Sequence, residues 1–380
     1  MRGARMYSQP LLDAIAEAER IVTEAPHIET EADLLEGLHY LAGCISACIH
    51  LAFDYERDHP FLQSGTGPFT KMGLDNPDTL YFGTRVLPGH EYVVTGTRGT
   101  TTDLSFQLLG GEYTDEGVPE SQAAFDDREL DIGEDGRFEW RFTPEQPSQL
   151  VIREVYGDWS QQRGTIAIAR TDTAGTAPPP PTRRTIEKRY AVAGRQLVQR
   201  VKTWLQFPQW FYFNIPVNTM VPPRLTPGGL STQYSSAGHY ELEPDQAMII
   251  TVPVSDAPYL GFQLGSLWYI SLDYINHQTS LNATQAQADP DGRIRIVVSE
   301  ANPGVTNWVE TLGHRRGIMQ FRWQRVSRPL TEADGPTVEV VDFDQVPAAL
   351  PYYESNRISE EAWRARIAQR QIQIANRMLG

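Results

Sequence analysis

The chain has 380 residues, enough for two or three domains around a sizeable core. Its 48 Asp and Glu against 33 Lys and Arg give a formal net charge of −15. Lys and Arg form no long basic stripe, which argues against nucleic acid as a partner. No run of eighteen apolar residues occurs and no apolar signal segment opens the chain, so the expectation is a cytoplasmic protein with no membrane partner.

The first 70 residues read as a helical segment. Leu11, Leu12, Ile15, Ala18 and Ile21 recur on one face over 10–24, and Leu34, Leu38, Leu41, Ile45 and Ile49 do so over about 31–54. The two cysteines, Cys44 and Cys48, lie four apart on the second helix. With no further Cys they make a poor zinc site and read as reduced packing thiols. His39 and His50 read as packing or surface groups. Pro60 and the run SGTGPF at 64–69 end the helices.

Residues 71–170 read as a first β-unit, entered through the turn cluster Asn76-Pro77-Asp78-Thr79. A linker and helical connector follow over 171–230. It contains the Pro-rich run 174–184, a helix over 186–204, and the aromatics Phe207, Trp210, Phe211, Tyr212 and Phe213. Residues 231–345 form a second β-unit, and 346–380 a closing amphipathic helix capped by Ser359.

The two β-units are related. Tyr92-Val93-Val94-Thr95 aligns with Met248-Ile249-Ile250-Thr251, an offset of 156 (95 to 251). At the same offset Phe106-Gln107-Leu108 meets Phe262-Gln263-Leu264, and Asp135-Gly136-Arg137 meets Asp291-Gly292-Arg293. Beyond Pro303 the second copy runs thirteen residues longer, so Ile152-Arg153 meets Phe321-Arg322 at an offset of 169 (153 to 322). The extra residues include Asn307, Trp308, Thr311 and His314. Each copy reads as strand, turn, strand, long loop, strand, turn, strand, with the Asp-Gly pairs as hairpin turns. The fold class predicted is α+β, mainly β: two related antiparallel β-sandwich or jelly-roll-like units with N-terminal, connecting and C-terminal helices.

The densest polar and aromatic stretch is 258–326, which holds most of the candidate site. Asp273, His277, His314 and Asp78 are the candidate acid–base groups, since a titrating imidazole beside a carboxylate is the usual pairing for that chemistry. Trp268, Tyr269 and Trp308 are candidate stacking surfaces, with burial in the core as the alternative reading. Asn76, Tyr81 and Asn307 are candidate polar contacts. His314 reads equally well as a cap on a short helix over 303–312, and Arg322 as the partner of a carboxylate. Asp273, His277 and His314 also make a two-His, one-carboxylate set of the non-haem iron type. No HExxH or HxH spacing and no GxSxG elbow is present, and no cofactor is expected.

The phrases LWYISLDYINHQTSLN (267–282), DGRIRIVVS (291–299) and NPGVTNWVETLGHRRGIMQFRW (302–323) resemble a bacterial family known as domain of unknown function 1214. DNPDTLY (75–81) is similar to its N-terminal element. The resemblance implies a β-sandwich that handles carbohydrates or other small molecules. The N-terminal helices depart from the commoner arrangement, in which a related domain, 1254, precedes it. The function expected is binding or acid–base processing of a small organic molecule, a carbohydrate or glycoside among the candidates, in a pocket formed by loops of the second unit. The alternatives are a non-catalytic sandwich that binds a ligand or a further copy of itself, and a metal-dependent oxygenase.

Overall fold

The structure, a computed structural model, describes residues 6–54, 56–226, 229–230 and 232–379. The expected helical reading of residues 1–5 lies outside them. In the first unit β1 (Thr79–Val86), β6 (Ser148–Val155), β3 (Asp103–Gly110) and β4 (Glu120–Asp126) form one antiparallel sheet in that order. The second sheet runs β5 (Arg137–Phe142), β2 (Tyr92–Thr97), β7 (Thr165–Arg170). In the second unit the first sheet runs β13 (Ser280–Asn282), β12 (Tyr259–Gly265), β16 (Arg316–Gln324), β10 (Tyr234–Glu241), β8 (Thr219–Met220), with β9 (Arg224–Leu225) also beside β10. The facing sheet runs β15 (Trp308–Glu310), β14 (Arg293–Ser299), β11 (Gln246–Pro253), β17 (Thr337–Asp342).

The duplication is therefore topological as well as sequential. The order β4-β3-β6-β1 is repeated as β13-β12-β16-β10, and β5-β2-β7 as β14-β11-β17. Both Asp-Gly turns place their glycine at positive φ, 77° for Gly136 and 76° for Gly292, where a side chain is disfavoured. Each unit buries the facing sides of its own two sheets. Tyr92, Val94, Phe106, Phe138 and Ile152 make one core, and Ile250, Val252, Phe262, Ile296 and Trp323 the other. The thirteen additional residues supply β15, the sole strand pairing in parallel, against β14 among the described residues. The expected helix over 303–312 is absent there: the segment is turn and strand, held by Thr306 N–H to the Asn356 carbonyl and Val297 N–H to the Asn307 carbonyl.

The helices form a layer of their own. α1 (Gln9–Thr23), α2 (Glu31–Phe53) and α3 (Arg183–Phe211) pack through Ala18, Val22, Leu41, Cys44, Leu197 and Val201. Thr30 and Asp33 close a reciprocal capping box on α2, as Thr182 and Thr185 do on α3, so both begin abruptly. α3 runs seven residues beyond its sequence-read end and takes in Phe207, Trp210 and Phe211 of the aromatic run, with Pro208 inside the helix. By length and composition α2 passes as a membrane-spanning helix. Here Tyr40, Cys44, Ala47 and Cys48 are buried on its inner face, and both cysteines are free thiols, as expected. After the short α4 (Val346–Ala349), α5 (Glu360–Leu379) spans the junction of the units. Trp363 packs on Trp308, Ile374 packs among Tyr156, Trp159 and Tyr274, and Arg377 donates to the Pro77 carbonyl at 2.7 Å.

Candidate functional site

The residues expected to form the site each have separate structural partners. Asp78 is buried, accepting from Trp159 Nε1 at 2.6 Å and Tyr259 Oη at 2.8 Å. Burial pushes its carboxyl above the ordinary range against those two bonds. Asn76 accepts from the Asp78 N–H at 3.0 Å and donates to Tyr259 Oη at 2.8 Å, completing an Asx turn with a buried network behind it. Asp273 caps its own turn through the Ile275 and Asn276 N–H groups. Partial burial raises its carboxyl, but the Asn276 side-chain amide at 2.8 Å and those two N–H groups outweigh it and hold the carboxyl below the ordinary value.

His277 Nδ1 lies 2.9 Å from Glu310 Oε2. His314 pairs instead with Glu36 on α2, Nε2 to Oε2 at 3.2 Å, while Nδ1 meets the Thr311 carbonyl at 2.9 Å. Burial pulls its pKa down, but the Glu36 carboxylate and the Thr311 carbonyl raise it above the ordinary value. It is a tether between the β-unit and α2, not a helix cap. The ligand atoms of Asp273, His277 and His314 do not gather, so the iron-type set expected from the sequence is not formed. Among the described residues the acidic groups that do gather are Asp103, Asp126 and Asp127, and Arg98, Arg128 and Arg325 pair with them.

The aromatic candidates are core. Trp268 is buried against α2, donating Nε1 to the Asp33 carbonyl at 3.0 Å, and Gly37 leaves room for its ring. Trp308 gives Nε1 to the Ser299 carbonyl and stacks on Trp363. Asn307 is spent on backbone groups of Gln287 and Arg295. Tyr269, at φ 57°, lies between Trp204, Phe207 and Tyr212. The stretch richest in polar and aromatic residues is buried interior, in which Ser266 Oγ, Gln278 Oε1, Thr279 Oγ1, Asn282 Nδ2 and Gln324 Oε1 have no partner among the described residues.

One expected residue, Tyr81, does line a cavity, and that cavity belongs to the first unit. It measures about 280 Å³ and lies between the outer face of β1, β6 and β3, the helices α2 and α3, and the segment 63–75. Alternation in β6 explains how it is built: Leu150, Ile152 and Glu154 point inward and are buried, while Gln149, Val151 and Arg153 face outward under the helices. Leu51, Met72, Leu109 and Trp204 supply apolar wall, Tyr81 and Tyr113 phenol groups, and Asp75 one carboxylate. Burial raises the Asp75 carboxyl, but Lys71 and two bonds from Ser271 (N–H at 3.1 Å, Oγ at 2.8 Å) oppose it.

Three arginines, Arg85, Arg153 and Arg200, line this cavity; Arg85 pairs with Glu112, and neither of the other two pairs with a carboxylate among the described residues. Arg200 donates to main-chain carbonyls, of Thr70 at 2.9 Å and, more distantly, of Gly65 and Lys71, and lies beside the Cys44 thiol; its buried Nε has no partner among the described residues. Gln63 Nε2, Thr84 Oγ1 and Gln196 Oε1, from residues lining the same cavity, are likewise buried without one. Cys48 also lines it, with its thiol pushed up to about 12 by burial, so it is not a nucleophile.

The duplication explains what is special here. Arg153 Nη1 donates to Gln107 Oε1 at 2.9 Å, and its counterpart Arg322 donates to Gln263 Oε1, the counterpart of Gln107. Tyr113 and Tyr269, again 156 apart, lie on Trp204 at 5.3 and 5.9 Å between ring centroids. Over Arg322, however, the volume is filled. Leu74, at φ 50°, covers Gly265 and accepts from Arg322 Nη2 at 2.6 Å on its carbonyl, while Gln320 Oε1 takes a further donor at 3.2 Å. Arg322 thus pairs with amide and carbonyl oxygens, not with the carboxylate expected. Sequence reasoning noted the Arg pair but read it as structural in both copies. The cover that Leu74 gives the second copy has no equivalent over Arg153 among the described residues, whereas Tyr269 has one in Tyr113.

Neither a protein-family model nor a curated protein matches the chain. Among solved structures it is similar to an uncharacterized protein from Burkholderia cenocepacia, at 25% identity and a TM-score of 0.79, over 90% of this chain and 98% of that one. A protein from Vibrio parahaemolyticus aligns over 87% of this chain and 100% of that one, at 11% identity and a TM-score of 0.45, which is too low to argue from. The Burkholderia likeness shows the mixed α+β, mostly antiparallel fold and names no activity.

Proposed function

We propose that the protein binds a small organic molecule in the cavity between the first unit's sheet and helices α2 and α3. The observation that carries this is the lining itself: apolar wall on several sides, two arginines without carboxylate partners, and four buried polar atoms without a partner. About 280 Å³ lies at the small end of the range for ligand sites, where a few polar groups orient a mostly apolar guest. The site expected in the loops of the second unit moves, on this reading, to the first. Acid–base processing is a second reading, favoured by Asp75, a cavity-lining carboxyl whose pKa burial raises. Membership of the 1214 group stands as a proposal on residues 75–81 and 267–323, and the binding reading does not depend on it.

Val151→Trp tests the binding reading, since Val151 faces the cavity from the middle of β6. Calorimetric titration of a panel of neutral aromatics, small organic acids and monosaccharides is expected to find compounds that bind the parent and not the filled variant. Compounds that bind both equally would show that the cavity is not the site.

A further inference from the structure

We propose that the cavity's ligand is an organic acid whose carboxylate is held by Arg153, with its apolar body lying toward Trp204 and Met72. This rests on the cavity being the binding site and names the chemistry of its guest. The first argument is charge. A guanidinium stays ionised at any ordinary pH, and removing it from water without a counter-charge costs several kcal/mol. Arg153 has one neutral partner, Gln107 Oε1, which leaves most of its five donors for something else. The two carboxylates that line the cavity are engaged elsewhere: Glu112 pairs with Arg85, and Asp75 is held by Ser271 and faces Lys71. Arg200 adds a second positive charge to the same wall. The cavity is thus cationic inside a chain of net charge −15.

The second argument is the protein's own copy of the site. Over Arg322 the chain supplies the Leu74 carbonyl, Gln263 and Gln320 as oxygen acceptors, with the Leu74 side chain and Tyr269 as the apolar cover. Over Arg153 the equivalents of Gln263 and Tyr269, namely Gln107 and Tyr113, are present, but among the described residues nothing stands for the Leu74 carbonyl or Gln320 Oε1. What is missing is an oxygen acceptor attached to an apolar body, and an arginine fork takes a carboxylate in two parallel hydrogen bonds. A monosaccharide offers neutral hydroxyls all round and would leave the charge uncompensated.

The test compares phenylacetate and benzoate with their neutral amides, by calorimetry at about pH 7, on the parent and on Arg153→Gln, Arg153→Lys and Val151→Trp. The acids are expected to bind at least roughly tenfold more tightly than the amides. Arg153→Gln is expected to remove that preference, Arg153→Lys to keep part of it, and Val151→Trp to abolish binding of all four compounds. Amides binding as well as acids, or an acid preference that survives Arg153→Gln, would overturn the inference while leaving the cavity as a neutral-ligand site. Binding that survives Val151→Trp, or no binding to the parent by any acid, amide or sugar, would overturn the cavity reading itself. Circular dichroism on each variant separates a lost contact from a lost fold.

Discussion

Replacing each of the two duplicated arginines by glutamine should give very different losses of stability. Among the described residues Arg322 is the only donor to the Leu74 carbonyl and to Gln263 Oε1, and all three groups are buried. Arg322→Gln orphans those two acceptors at about 1–3 kcal/mol each, giving a loss of about 2–6 kcal/mol. Gln320 Oε1 suffers less because Tyr212 Oη still donates to it at 2.8 Å. Arg153→Gln breaks one bond, to Gln107, and also removes a desolvated charge with no counter-charge, so its loss should be about 1 kcal/mol or less. Unfolding entropy near 2.1 cal/mol/K per residue gives about 0.8 kcal/mol/K for a chain of 380 residues. The midpoint by differential scanning calorimetry should therefore fall by about 3–7 °C for Arg322→Gln and by about 1 °C or less for Arg153→Gln. Equal losses would mean that both arginines are structural pins, and the contrast between a filled and an open copy would be wrong.

Gly37→Ala gains about 1 kcal/mol of helix propensity, yet its Cβ would meet Trp268 Cζ2 at 2.2 Å. The net effect expected is a loss of about 1–2 kcal/mol in urea unfolding. Asp78→Ala strips partners from Trp159 Nε1 and Tyr259 Oη and should cost about 2–4 kcal/mol, with no change in the affinity of cavity ligands measured on the folded variant. The His314–Glu36 tether gives a pH signature. Because the folded imidazole's pKa is raised above 6.5, its contribution is complete below that value and is lost as pH rises through the folded pKa. Glu36→Gln should therefore destabilise most at about pH 5.5 and least at about pH 8.5, and a pH-independent deficit would argue against the tether.

The duplication was legible because it rests on local signals: two Asp-Gly turns, two Phe-Gln-Leu strands and two strand arginines at fixed offsets. The site was not, for a physical reason. Polar residues crowd 266–282 because that mostly irregular segment needs side chains to meet main-chain groups, as Asp273 does for the Ile275 and Asn276 N–H groups and Gln278 for the Trp308 carbonyl. In a one-dimensional reading such residues look the same as those that meet a ligand. The cavity instead depends on α3 passing over β6, a contact between residues some fifty positions apart, and on Leu74 crossing to the other unit. Gln196, Arg200 and Trp204 recur four apart on α3, and nothing in that spacing separates a core stripe from a cavity wall.

A crystal structure of the protein saturated with phenylacetate tests the central claim most directly. The account predicts density in the cavity, with the carboxylate at hydrogen-bonding distance from Arg153 and the ring against Trp204. An empty cavity beside phenylacetate bound elsewhere, or the carboxylate turned away from Arg153, would contradict it.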